Sequence, residues 1–266
     1  QPRTNYTEVM TRTKSWYFNT NTAYSRCAVA YYYRLINSAN NILENIDATP
    51  GSAELRENLK GQVKALRAWS YFRLSNLFFY DWHKNEEFGT LDKGSFGNGV
   101  MLRLSSSADD VGYSSMRAVY EQIYKDLQDA ITALETYPLG RTNNFEINAD
   151  VARAIMARAA LYREDWDTAI EYARSLYGKY SLMTNDEYLA GFNTPNREWI
   201  WSTFADLQIS VSDGFHGNFA CNTAQSTAAA YQTVISRKYY EKIPATDIGK
   251  QLWFNPDPEP GVHYDY

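Results

Sequence analysis

The clearest helical pattern in the sequence lies at residues 156–177, which read MARAALYREDWDTAIEYARSLY. Its pattern is typical of two antiparallel helices joined by a tight acidic turn. Ala157 and Ala160 are small enough for a second helix to approach closely, and Ala169 would face them from that helix. Trp166 would begin the second helix and close the end of the pair with a bulky ring. The stretch therefore predicts a closely packed helix–turn–helix unit.

The same helical period occurs in three segments upstream of this unit. Apolar residues recur at spacings of three and four over about 28–47, 53–79 and 117–136. Ser52 can cap the second of these segments. Asn148 or Asp150 can cap the first helix of the unit at 156–177. Taken in order, these helices pair as divergent tetratricopeptide-like repeats. We therefore predict a mostly α fold, a stack of tetratricopeptide-like helix pairs.

Three regions lack this period, namely 1–27, 80–115 and 195–266. Residues 80–115 are rich in Gly, Ser, Asn and Asp, and loops this long are usually functional. Residues 199–204 read WIWSTF and predict a small β element. We interpret the chain as a single domain, with a helical scaffold over about 28–180 and these regions on its ligand side.

The composition of the chain excludes several classes of function. The 266 residues carry a net charge of −5 and no basic stripe, so nucleic acid is not an expected partner. No apolar run reaches about 18 residues, so no membrane-spanning helix is predicted. Cys27 and Cys221 match no metal spacing; we interpret them as buried free thiols, and a disulfide between them stays open.

No catalytic constellation is visible. His83, His216 and His263 lie far apart in the sequence, without the spacing of metal ligands. The glycine-rich segment 94–99 lacks the preceding strand and the prompt helix of a phosphate-binding loop, and is interpreted as a flexible loop. We therefore predict that the protein is not an enzyme and that it holds no metal or cofactor.

Several phrases resemble the SusD/RagB family of outer-membrane lipoproteins. They are YYYRLINSANNIL (31–43), GQVKALRAWSYFRL (61–74), VYEQIYKDLQDAI (119–131), the helix and return over 148–177, and the segment from Asp186 to Trp201. They follow the family's order over most of residues 28–201. Members usually begin with a lipidated cysteine and run longer at the C-terminus, so the anchor and part of the binding surface are expected outside this sequence.

The resemblance implies a nutrient-binding protein on the outer face of a Bacteroidetes outer membrane. Such a protein captures an oligosaccharide or polysaccharide and passes it to a TonB-dependent, SusC-like transporter. Two other readings stay open, a peptide-binding protein of the RagB type and a tetratricopeptide adaptor that binds only protein. A hydrolase is a further, weaker alternative.

Aromatic and amide side chains cluster in two of the loop regions. Residues 16–21 read WYFNTN, and residues 215–219 read FHGNF. Sugars present apolar C–H faces, which stack on aromatic rings, and hydroxyl rims, which amides can bind. Simple packing against the scaffold is the alternative role for these rings. The candidate ligand-binding residues are Trp16, Tyr17, Asn19, Asn21, His216 and Tyr231.

The missing catalytic constellation generates the first testable prediction. Incubation of the protein with mixed oligosaccharides should release no new reducing ends, because no paired carboxylates or activated nucleophile are predicted. A reducing-end assay on repeatedly purified protein measures this. Turnover that follows the protein through each purification step would contradict the prediction.

Overall fold

The structure, a computed structural model, describes residues 23–191, 194–203 and 237–252. The chain forms two compact units, Gln1–Lys179 and Tyr180–Tyr266. The expectation of one domain over the whole chain stays a prediction, and each unit is described by itself.

The first unit is built from helices, which confirms the predicted fold class. They are α1 Ala23–Asn45 with a 3₁₀ turn Ile46–Ala48 after it, α2 Ala53–Phe78, α3 Trp82–Glu87, α4 Met116–Glu135, α5 Ala149–Tyr162 and α6 Trp166–Leu176. The long helices occupy the segments that the apolar period predicts, with small shifts at their ends. The short helix α3 lies in a region predicted to be irregular.

Side-chain caps fix where four of these helices begin. Ser52, Ser115, Asn148 and Asp165 each accept a hydrogen bond from the backbone amide three residues further on. Such a cap satisfies an amide that the first helical turn leaves without a partner, and typically contributes about 1 kcal/mol. The predicted cap at Ser52 is confirmed, and of the two candidates before α5 the structure selects Asn148.

The long helices pack in chain order, α1 on α2, α2 on α4, α4 on α5 and α5 on α6. The largest fully buried side chains between them include Tyr71, Phe72 and Tyr120. Gly61 lies at a close approach of α2 to α4, where an added Cβ would come within 2.8 Å of Leu134 Cγ. Packing between sequence neighbours is the arrangement expected of a repeat stack.

The helix pair α5–α6 shows the predicted close approach. Ala160 is completely buried, and Ala169 is 9% exposed. The turn between the helices contains Glu164 at a φ of 62°. A left-handed residue of this kind lets the chain reverse within a few residues.

Trp166 does not close the end of this pair, and that prediction was wrong. Its side chain is 55% exposed. Tyr124 of α4 covers the turn instead, since its hydroxyl donates to Asp165 at 3.1 Å. The guanidinium of Arg163 lies 4.8 Å from the Tyr124 ring centroid and adds a cation–π contact.

The predicted strand at 199–204 is wrong for residues 199–203, and residue 204 lies outside the described residues. The Trp199 amide donates to the Asn196 carbonyl at 3.1 Å in a turn, which interrupts an extended backbone. Within the described residues, β structure is limited to two isolated bridges, Ser95–Asn98 and Val100–Ser114. Aromatic content favours a strand, but a strand forms only where the backbone pairs.

The second unit contains short elements over its described residues, α7 Asn185–Leu189, α8 Arg237–Tyr240 and a 3₁₀ helix Ile248–Leu252. Thr184 and Glu187 form a capping box at the start of α7. Helix α7 packs on the 3₁₀ helix. Across the described part of both units, no helix combines the length and the apolar character that crossing a membrane requires.

The α5–α6 crossing generates a prediction about stability. Ala169→Trp should lower the free energy of unfolding by about 1–3 kcal/mol or more, because an indole overfills the buried contact. Glu171→Trp, on the exposed side of the same helix, is the matched control and should change stability little. Urea unfolding followed by circular dichroism measures both. Equal unfolding midpoints for the two variants would show that the helix register is wrong.

Candidate functional site

A buried ion pair joins α2 to α4. Nη2 and Nε of Arg67 donate to the two carboxylate oxygens of Asp126 at 2.7 and 2.8 Å. The two side chains are only 8% and 2% exposed. Burial lowers the pKa of Arg67, but the hydrogen bonds and charge of Asp126 outweigh this effect and hold that pKa above its usual value. The pair is therefore charged and bidentate, which is the strong form of an Arg–carboxylate interaction.

Asn40 of α1 extends the ion pair into a network. Its Oδ1 accepts from Nη1 of Arg67 at 2.8 Å. Its Nδ2 donates to the carbonyls of Arg103 and Ser105 at 3.1 and 3.0 Å. Asn40 is almost fully buried. One amide thus ties α1 to the non-helical stretch 100–107, hereafter the returning segment.

Two tyrosines pair with the backbone of the returning segment as a neighbouring strand would. The Tyr33 hydroxyl accepts from the Met101 amide at 2.8 Å and donates to the Met101 carbonyl at 2.9 Å. The Tyr71 hydroxyl does the same with Arg103 at 2.8 and 2.6 Å. Burial raises the pKa of Tyr33 to about 12 and also raises the pKa of Tyr71, so both phenols stay neutral donors at physiological pH.

Glu44, one turn beyond Asn40, holds the end of the returning segment. Its carboxylate accepts hydrogen bonds from the Ser106 amide, at 2.9 Å, and from the Ser106 hydroxyl. These bonds lower the pKa of the exposed Glu44 carboxyl. The segment is therefore pinned at three levels along α1, by Tyr33, Asn40 and Glu44.

A groove of about 460 Å³ lies between α1 and the returning segment. Its apolar lining comes from Val29, Ala30, Ile36 and Met101, and its polar lining includes Asn37, Arg103, Ser106 and Ser107. Nη2 of Arg103 donates to the Ser107 carbonyl at 2.6 Å, which orients the guanidinium. The volume falls within the range of small-molecule pockets.

Chemically, the groove offers apolar surface beside a guanidinium, an amide and hydroxyls. That combination suits a neutral polyol, whose C–H face needs apolar contact and whose hydroxyls need donors and acceptors. In the same unit, Nδ1 of His83 lies 3.0 Å from the Glu164 carboxylate, and this His–carboxylate pair is about half exposed.

The six ligand-binding residues predicted from sequence lie outside the described residues. They are Trp16, Tyr17, Asn19, Asn21, His216 and Tyr231, so the structure neither groups nor separates them. Sequence reasoning missed Asn40 and Arg103. A signal for Asn40 was available, since it falls on the buried face of α1 one turn after Ile36, where an amide must find partners. Arg103 lies in a segment without helical period, so no comparable sequence pattern pointed to it.

The glycine-rich stretch 94–99, predicted to be a flexible loop, contains a tight turn with a bridge between Ser95 and Asn98. An added Cβ at Gly94 would come within 2.2 Å of the Tyr113 carbonyl oxygen. At Gly99 it would come within 3.0 Å of Tyr113 Cβ. Glycine is therefore required here for close backbone approach.

The comparisons place this fold in a family. Residues 3–161 match the model of a SusD-like family described as "Starch-binding associating with outer membrane". Because the match covers more than half of the chain, the chain belongs to the SusD-like family. A comparison with curated protein sequences found no match.

Solved structures agree. A SusD-like carbohydrate binding protein from Bacteroides vulgatus is 29% identical, with a TM-score of 0.72 over 88% of this chain and 48% of its own. A SusD superfamily protein from Bacteroides fragilis is 27% identical, with a TM-score of 0.53 over 63% of this chain and 37% of its own. A laminarin binding SusD-like protein, 23% identical, shares the fold at a TM-score of 0.51 over 64% of this chain and 35% of its own. The chain thus spans about half of the first relative's length.

The buried network generates a prediction about stability. Arg67→Met should lower the free energy of unfolding by about 3–5 kcal/mol, because it leaves the Asp126 carboxylate buried without its cation. Lys64→Met is the matched control, since Lys64 pairs with Asp129 across the same two helices at 2.8 Å but near the surface. That variant should lose at most about 1 kcal/mol. Urea midpoints that are lowered equally in the two variants would contradict the role of the network.

Proposed function

We propose that this chain is the helical part of a cell-surface glycan-binding protein. The observation that carries the proposal is the likeness, at 29% identity over 88% of the chain, to a SusD-like carbohydrate binding protein. The groove beside α1 supports it, because its lining suits a sugar's apolar faces and hydroxyl rims. The protein captures glycan and has no hydrolytic role.

The predicted ligand-binding residues belong to the same proposal. Trp16 and Asn19 precede the first residue of α1 by seven and four positions. Covalent geometry therefore keeps Trp16 within about 25 Å of the start of α1. The groove begins at Val29, on the second turn of that helix. We propose that Trp16 and Asn19 contact the glycan, with Tyr17, Asn21, His216 and Tyr231 as the further candidate residues.

The wider role follows from the family. We propose that the full-length protein is lipid-anchored at the outer face of the outer membrane and delivers its glycan to a TonB-dependent, SusC-like transporter. In this proposal the helical stack is the docking scaffold for the transporter, because helical faces present long polar side chains. The loops and the groove hold the sugar, in keeping with the common placement of binding residues on loops over a rigid scaffold.

The glycan proposal predicts which side chains matter. Asn37→Ala in the groove and Trp16→Ala in the N-terminal loop should each weaken binding of laminarin or starch about tenfold, which corresponds to about 1.4 kcal/mol. Asn41→Ala is the matched control, an exposed amide one turn further along α1 and outside the groove lining. Calorimetric titration with oligosaccharides of each glycan measures the affinities.

Circular dichroism should show the same helix content in all three variants. Equal affinities in wild type and variants would remove both residues from the site. Binding of peptides, with no response to either glycan, would overturn the glycan proposal in favour of a peptide-binding protein of the RagB type.

A further inference from the structure

Four exposed aromatic side chains lie close to one turn of the first unit. Tyr80 and Phe88 form an edge-to-face pair with ring centroids 5.8 Å apart. Phe96 and Tyr113 form a second such pair at 6.1 Å. Their exposed fractions are 56%, 56%, 72% and 41% in chain order. We call these four residues the aromatic platform. Exposed apolar patches of a few hundred Å² are often functional, and two ring pairs beside one turn form such a cluster.

Both pairs are anchored to the turn at residues 95–98. The Asn98 side chain accepts from the Tyr80 amide at 3.2 Å. On the other side of the turn, the glycines at 94 and 99 pack directly against Tyr113. Three stretches of backbone therefore run side by side, since the Gly99 amide also donates to Phe78 and the Ser114 amide donates to Val100.

A buried pair of amides holds the two halves of the platform together. Oδ1 of Asn85, in α3, accepts from Nδ2 of Asn98 at 2.8 Å and from the Thr90 hydroxyl at 2.9 Å. Nδ2 of Asn85 donates to the Tyr80 carbonyl at 2.8 Å. Asn85 is fully buried and Asn98 nearly so. A network satisfied in this way fixes the backbone that carries the rings.

The exposed area indicates what kind of ligand the platform takes. With about 150–250 Å² per aromatic side chain, the four rings expose on the order of 450 Å². A stable protein interface buries about 800 Å² on each partner, about twice the exposed area of these four rings. Lys84 and Glu87, paired at 2.6 Å, lie beside it, and the Lys84 ammonium is 6.0 Å from the Phe88 centroid. Flat rings with a charged rim match the apolar face and hydroxyl edge of a sugar.

We propose that the aromatic platform is a second glycan-contacting surface, which shares no residue with the lining of the groove. It stacks on pyranose rings of a long glycan. The proposal rests on the proposed function, since it takes the same ligand class. The Asn85–Asn98 network holds the backbone that carries the rings, which limits the conformational entropy lost when a sugar docks.

The test keeps apolar volume while removing the flat ring. Phe88→Leu/Phe96→Leu in the full 266-residue chain should weaken retention in laminarin and starch affinity gels about tenfold or more, whereas Phe88→Tyr/Phe96→Tyr should be retained like wild type. Tyr177→Leu, which removes another highly exposed aromatic at the end of α6, is the control and should change nothing. Circular dichroism checks that each variant is folded.

Three other results would contradict the proposal that the platform binds glycan. Equal retention of the Leu and Tyr variants would overturn the platform and leave the groove proposal standing. A wild-type chain that neither glycan retards would contradict the proposed function and the platform together. Light scattering that shows a wild-type dimer, reduced to a monomer in the Leu variant, would identify a second copy of the chain as the occupant.

Discussion

The interaction on which the first unit depends is the buried pair of Arg67 and Asp126 with Asn40. Removing two charges from water is costly, and the cost is offset only when almost every donor and acceptor is matched. Here the guanidinium meets both carboxylate oxygens and one amide oxygen. The Asn40 amide nitrogen donates both of its N–H groups to carbonyls of the returning segment. The hydrogen bonds that stabilise the buried charges therefore also hold the returning segment in position.

The groove is the structural consequence of that constraint. A non-helical segment has backbone donors and acceptors that must be satisfied. Tyr33, Asn40 and Tyr71 satisfy them on the side facing the helices, where no second strand is present among the described residues. The segment can therefore lie beside α1 without joining a sheet, and the space between them forms a pocket with fixed walls. A site built on rigid elements holds its polar groups in place before a ligand arrives.

The sequence was sufficient for features that depend on local rules. The long helices follow from the 3.6 period, and the caps Ser52 and Asn148 follow from side-chain chemistry next to the first helical turn. The groove does not follow from local rules, because Tyr33 and Asn40 meet partners more than 60 residues away. The strand expected at 199–204 failed for a related reason, since composition cannot show whether a backbone turns or pairs. The binding residues predicted in the loops lie outside the described residues, so the structure bears only on the helices and on the segments between them.

The most direct test of this account is hydrogen exchange of the full chain, with and without the glycan that retards it. The account predicts that the Met101 and Arg103 amides are protected in both states, because tyrosine hydroxyls accept from them. It also predicts that peptides covering 29–40 and 101–108 gain protection when laminarin or starch oligosaccharide binds. Free amides at 101 and 103 that exchange as fast as open loops, or glycan protection that spares both peptides, would contradict the central claim that the buried network builds the sugar site.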